Sequence, residues 1–143
     1  MKTIKLILTV LLLLLTTQLM AAKRALVIGN AAYTNEQPLV NTINDANDMA
    51  VVLRSLGFEV TYLENAKVLT MRDRINEFLY DIEQTNDTAL IYYSGHGIQD
   101  RNKASFLLPV DAVIKKEYQI ETAGISLNNI LDKLKQRPDD AVN

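Results

Sequence analysis

Three short apolar runs, Ala25–Gly29, Phe58–Leu63 and Thr88–Ser94, alternate along the chain with segments whose apolar residues recur every three to four positions. Apolar runs this short, closed by Gly or Ser, have the length and composition of strands. Between the first two, Ala46, Met49, Ala50 and Leu53 stand at i, i+3, i+4 and i+7, which predicts a helix over 44–56 with Gly57 at its C-terminal cap. Between the second and third, Ile75, Phe78, Leu79 and Ile82 repeat the spacing, behind Thr70 as N-cap. Strand, helix, strand, helix, strand implies right-handed crossovers, hence a mainly parallel sheet with helices on its faces: the α/β class. Thr88–Ser94 is apolar on both faces, which predicts a strand inside a sheet covered on both sides.

The remaining elements follow the same logic. Residues 102–109 predict a hairpin arm, and Asp111, after Pro109-Val110, a fixed turn. Ser126 caps a third helix with the stripe Leu127, Ile130, Leu131 and Leu134, ended by Arg137-Pro138. Ala141-Val142-Asn143 reads as the start of another strand. The connection from Asn30 to Ile43 is long for a βα unit, and long loops in compact domains tend to be functional or mobile.

Residues 1–22 differ from the rest. Lys2 and Lys5 precede an apolar run from Leu6 to Leu15 broken only by Thr9, and the segment ends in Met20-Ala21-Ala22. A basic start, a short apolar run and small residues make a secretory signal cleaved near Ala21 or Ala22. The run is too short for the ~20 residues that span a bilayer, so no stable membrane insertion is expected after cleavage. The expected location is therefore exported, periplasmic or secreted, with residues 23–143 as the domain.

Composition excludes several chemistries. Loss of Lys2 and Lys5 takes the formal charge from -2 to -4, so no basic excess exists to neutralise nucleic-acid phosphates. The absence of cysteine excludes disulfides, Cys-ligated zinc and a thiol nucleophile within these 143 residues, and a single histidine excludes an HExxH zinc site. Val27-Ile28-Gly29 lacks both the G-x-G-x-x-G fingerprint and a P-loop lysine, which ranks nucleotide binding low.

Ligands of open parallel sheets bind beyond the carboxyl ends of the strands. The one histidine, His96, follows the third strand between Gly95 and Gly97. An imidazole with an ordinary pKa of ~6.5 suits proton transfer near neutral pH, and glycine allows close approach of a substrate to the backbone. The competing reading is a surface histidine in a glycine turn. Ser94 stands near but outside a G-x-S-x-G elbow, which argues against a serine hydrolase.

Several segments occur in a fixed order: Lys23-Arg-Ala-Leu-Val-Ile-Gly-Asn-Ala-Ala-Tyr33, Asn44-Asp-Ala46, Leu56-Gly-Phe-Glu-Val60, Tyr92-Tyr-Ser-Gly-His-Gly97 and Leu107-Leu-Pro-Val-Asp-Ala112. Together they resemble the large-subunit region of the caspase-like cysteine peptidases, with paracaspases, metacaspases and bacterial caspase homologues as the nearest groups. The resemblance implies a caspase-like α/β/α sandwich, incomplete in this chain, and a Cys–His dyad acting on protein or peptide substrates without a cofactor or metal. It assigns His96 as the catalytic histidine and Gly97 as an oxyanion-binding N–H. The cysteine belongs at the end of a fourth strand, and Asn143 is where that strand has barely begun.

Two readings of that gap compete: the N-terminal portion of an ordinary endopeptidase, or an inactive caspase-like binding module. The first is favoured because an unpaired, apolar third strand is an aggregation hazard. Asp45 matches an acidic residue that lines the specificity pocket in paracaspases, and no Arg or Lys occurs between Asn30 and Asp45. The expectation is cleavage after Arg or Lys, against the plainer role of Asp45 as a first-turn helix acid.

Overall fold

The structure is a computed structural model that describes residues 21–85 and 87–136. The apolar leader, the Arg137-Pro138 helix stop and the strand expected at 141–143 lie outside the described residues.

Strand β1 (Lys23–Gly29) holds Ala25, Leu26, Val27 and Ile28 at 0% exposure, because it is paired on both sides. It runs parallel to β2 (Glu59–Glu64) in the register Arg24↔Glu59 to Gly29↔Glu64, and parallel to β3 (Thr88–Ser94) in the register Lys23↔Thr88 to Gly29↔Ser94. The order is β2-β1-β3. Among the described residues β3 is an edge strand, half-buried along most of its length, and β1 is the central one, which matches the unpaired third strand anticipated above. The two-sided apolar pattern nevertheless has its cause. Ala89, Ile91 and Tyr93 pack on one face of the sheet, and Leu90 and Tyr92 on the other.

Side chains alternate across the sheet, so each face recruits its own helix layer. Leu26 and Ile28 pack with Met71, Ile75, Phe78, Leu79 and Ile82 of α2 (Val68–Glu83) and with Ile130. Ala25 and Val27 pack with Ala46, Ala50 and Leu53 of α1 (Thr42–Ser55). Full burial of a Leu or Ile stabilises by about 1.5–3 kcal/mol, which makes these two seams the main source of cohesion. The layering is the α/β/α arrangement expected.

Helix boundaries moved. α1 begins two residues before Asn44, and Gly57, at φ 83°, closes it as expected. α2 begins at Val68, so Thr70 is inside the first turn and not its cap. The Val68 N–H instead donates to Asp111 Oδ1 at 2.8 Å. An acid 43 residues downstream thus replaces a local cap, which no sequence window around Thr70 can register.

A second, antiparallel sheet joins β4 (Gly97–Gln99), β5 (Ser105–Leu107) and β6 (Ile125–Ser126) in the order β4-β5-β6. The hairpin expected over 102–109 starts earlier, at Gly97, directly after His96. A 3-10 turn (Glu117–Gln119) and a short helix α3 (Ile120–Ala123) lead to β6 and then α4 (Leu127–Lys135). Ser126 caps α4 by accepting the Asn129 N–H at 3.3 Å. Of its stripe Ile130 is buried, while Leu131 turns outward at 41% exposure. Among the described residues no helix is long and apolar enough to cross a membrane.

Candidate active site

Because Gly29 stands opposite Ser94, β1 and β3 end level with each other. The residues that follow, Asn30 and Gly95-His96, therefore meet at one rim. Asn30 donates its backbone N–H to Ser94 O at 2.9 Å, and its side chain is fully buried. Its Nδ2 donates to Leu108 O at 3.1 Å, and its Oδ1 accepts the Ala66 N–H at 2.9 Å. One amide thus ties β1 to the segments leaving β2 and β5. Gly29 is glycine for a steric reason: a Cβ there would lie 2.8 Å from Ala46 Cβ and 3.1 Å from Thr42 O. The N-terminus of α1 can seat against the strand only without a side chain.

The long 30–41 connection is fixed by polar contacts. Asn65, at φ 49°, accepts the N–H groups of Ala31 and Ala32 at 2.9 and 2.8 Å. Thr34 N–H donates to Val110 O, Leu39 N–H to Ala31 O, and Thr42 Oγ1 to Asn30 O. The loop delivers two groups to His96. The Tyr33 ring lies against the imidazole, centroids 4.5 Å apart and tilted by 56°. The Gln37 carbonyl oxygen lies 2.7 Å from Nε2. A carbonyl only accepts, so Nε2 carries the proton and Nδ1 of the neutral ring keeps its lone pair. Gln37 precedes Pro38, whose ring confines it to extended backbone.

Beneath the ring, two phenols hold the His96 main chain at both ends. His96 N–H donates to the Tyr33 hydroxyl at 2.8 Å, and His96 O lies 2.7 Å from the Tyr93 hydroxyl. The hydroxyls are 3.0 Å apart, and each also reaches Leu108 O, at 3.1 and 2.8 Å. Burial raises the pKa of Tyr33 above the phenol range against the lowering effect of its hydrogen bonds with Tyr93 and His96. Burial, reinforced by the bond to Tyr33, raises Tyr93 further. Both stay protonated donors at any physiological pH.

Gly95 is the third part of this clamp. A Cβ there would stand 2.4 Å from the Tyr93 hydroxyl and 2.6 Å from that of Tyr33. Gly95→Ala is expected to cost about 1–3 kcal/mol by overpacking. A lowered denaturation midpoint together with shifted His96 ring resonances is the anticipated result; an unchanged His96 spectrum counts against the clamp.

Gly97 opens β4 opposite Leu107. Leu108 N–H donates to His96 O, so the antiparallel alternation makes Gly97 and Leu107 a non-hydrogen-bonded pair. The Gly97 N–H therefore points away from β5, one residue from the imidazole, at an exposed position. Ser94 uses its carbonyl on Asn30, and no hydrogen bond joins it to His96 among the described residues. Asp45 stands exposed in the first turn of α1. That turn rises at the same carboxyl end of β1, yet no hydrogen bond or ion pair links Asp45 to the His96 loop among the described residues. A separate groove of about 650 Å3 between α2 and α4, lined by Arg72, Ile75, Ile130 and Lys133, contains none of the expected site residues.

Asn30, Gln37 and the two phenols were not singled out as site residues by sequence. Tyr33 and Tyr93 both stand in the motif segments given above, but a tyrosine in an apolar strand or loop carries no mark that separates a clamp from packing. Gln37 acts through its main chain, so its residue type carries no signal.

The family profile described as Caspase domain matches residues 22–142. Human mucosa-associated lymphoid tissue lymphoma translocation protein 1 (Homo sapiens) is 34% identical over 121 residues, 85% of this chain and 14% of that protein. The mouse homolog (Mus musculus) is 33% identical over the same shares. Mouse caspase-1 is 30% identical over 99 residues, 64% of this chain and 25% of that protein. The chain thus spans only a small part of the length of these relatives. With a histidine turn at the carboxyl rim of an α/β/α layer and a profile match across the described domain, this chain belongs to the caspase-like family of cysteine peptidases.

Proposed function

We propose that this chain is the histidine-bearing portion of an exported caspase-like endopeptidase that cleaves after Arg or Lys, with its cysteine supplied by a longer polypeptide. The observation that carries the reading is the His96 turn: Nε2 is held on the Gln37 carbonyl, which leaves Nδ1 to exchange a proton beside the outward Gly97 N–H. The thiol proton passes to the imidazole and the thiolate attacks the substrate carbonyl, whose developing oxyanion takes the Gly97 N–H. The C–N bond breaks as the imidazolium protonates the leaving amine. Water, giving a proton back to the imidazole, then splits the thioester to acid and thiol.

The basic preference rests on Asp45, a carboxylate at the same strand end as His96, and on the absence of Arg or Lys from residues 30–45. On a matched pair of fluorogenic peptides, the longer polypeptide is expected to hydrolyse the Arg substrate faster than the Asp substrate. Faster hydrolysis after Asp overturns the specificity.

The other reading is an inactive caspase-like binding module, favoured by one observation: none of the 143 residues is cysteine. Coding sequence beyond codon 143 separates the two. An in-frame Asp-Ala-Cys-like segment supports the peptidase, and an immediate stop supports the binding module.

A further inference from the structure

We propose that the exported protein begins at Ala22 and that its new α-ammonium group is seated on the Asp87 carboxylate, where β1 and β3 begin. The inference rests on the export reading above and assigns a processing site that the family resemblance does not contain.

Asp87 immediately precedes β3 and is only 6% exposed. Its Oδ1 accepts the Ala22 N–H at 2.8 Å, and its Oδ2 accepts Arg24 Nε at 2.8 Å. The Thr88 N–H donates to Ala22 O at 2.8 Å, which carries the β1–β3 pairing one residue past Lys23. Both backbone polar groups of Ala22 are therefore used by the fold. Ala21 is exposed and makes no hydrogen bond among the described residues. Ala22 is the first residue the domain holds. A cut after Ala22 would strip the acceptor from Thr88, whereas a cut after Ala21 removes nothing that the fold uses.

Hydrolysis of the Ala21–Ala22 bond by an export peptidase adds the oxygen of water to the Ala21 carbonyl carbon, breaks the C–N bond and leaves the protons on Ala22 N. An α-amine has an ordinary pKa of about 7.7–8.0 and is mostly cationic at neutral pH. That nitrogen already lies 2.8 Å from a carboxylate oxygen, so the seat needs no rearrangement and the bond becomes charge-assisted.

The surrounding charges favour this state. Arg24 Nη1 also lies 4.0 Å from Asp81 Oδ2. With an amide at Ala22, Arg24 faces two carboxylates. With an ammonium there, two cations face Asp81 and Asp87, and the cluster is neutral. Burial raises the Asp87 carboxyl, but hydrogen bonds from Thr85, Ala22 and Arg24 and the Arg24 charge outweigh it and hold the group below the usual carboxylate range. Asp87 is thus ionised near neutral pH, where the amine is mostly protonated.

The test expresses the protein with its own leader, recovers it after export, and determines the N-terminus by intact mass and terminal sequencing. The expected mature chain starts at Ala22. Its α-amine should react with an acylating reagent near neutral pH about tenfold more slowly than in Asp87→Asn, the effect of a pKa raised by about one unit. Should Asp87→Asn fail to accumulate, the α-amine pKa of the unsubstituted protein, followed by NMR after isotopic dimethylation, decides; a value at or below the ordinary range overturns the seat. A leader removed at another bond overturns this inference and leaves export standing. Retention of residues 1–20 overturns both. A start at Ala22 with equal acylation in the two proteins also overturns the seat.

Discussion

Replacing His96 with alanine, in the longer cysteine-bearing polypeptide proposed above, is expected to lower turnover of an arginyl peptide by ~10² or more. In the mechanism proposed above, the substitution removes the proton acceptor for the thiol and the proton donor for the leaving amine. It leaves the fold nearly intact. The imidazole is half-buried, its one ring hydrogen bond among the described residues goes to the carbonyl of the exposed Gln37, and the main-chain bonds of residue 96 to Tyr33 and to Leu108 do not depend on the ring. The melting temperature should therefore move by only a few degrees, equivalent to about 1 kcal/mol or less. Unchanged turnover would remove His96 from the reaction. A collapse in melting temperature would assign the lost activity to unfolding and remove the turn's claim to be a self-supporting scaffold.

Asn30→Ala should produce the largest loss of stability among single changes at the rim, about 2–3 kcal/mol. The Asn30 side chain is fully buried and serves three partners, Leu108 O, the Ala66 N–H and the Met71 sulfur. Leu108 O retains the Tyr33 hydroxyl as a donor, so it is not orphaned. The Ala66 N–H, in contrast, loses its acceptor in the interior, and the vacated volume adds a cavity penalty. Urea denaturation reads the effect as a lowered midpoint at constant slope. Because the Asn30 amide also holds Leu108 O, on which the Tyr33 and Tyr93 hydroxyls converge, the His96 resonances should broaden or shift in the same variant. A loss below 0.5 kcal/mol would mean that water satisfies Ala66 and that the rim is not built on this amide.

The strands and helices were legible because their signals are periodic and local. The unbroken apolar run of β1 and the three-to-four spacing in α1 and α2 are set by which side chains must leave water, and every residue of the α2 stripe is buried as its spacing requires. The position of His96 at a strand end was legible for the same reason: a strand followed by Ser-Gly-His-Gly must turn at that point. Helix starts were not legible. The N–H of Val68 is satisfied by Asp111, and a partner brought close by folding leaves no mark near the helix. The sheet order was equally hidden. Both β1 and β3 read as apolar on two faces, but hydrogen bonding to neighbours on either side is decided by chain crossings, and β1 took the centre.

The amino-acid sequence by itself determined the α/β layering and brought one imidazole to the carboxyl rim, since hydrophobic period and glycine placement act within a few residues. Only the tertiary structure decided how that imidazole is held. The Gln37 carbonyl, the phenols of Tyr33 and Tyr93, and the buried Asn30 come from separate segments, and hydrogen-bond geometry among them exists only once the chain has closed.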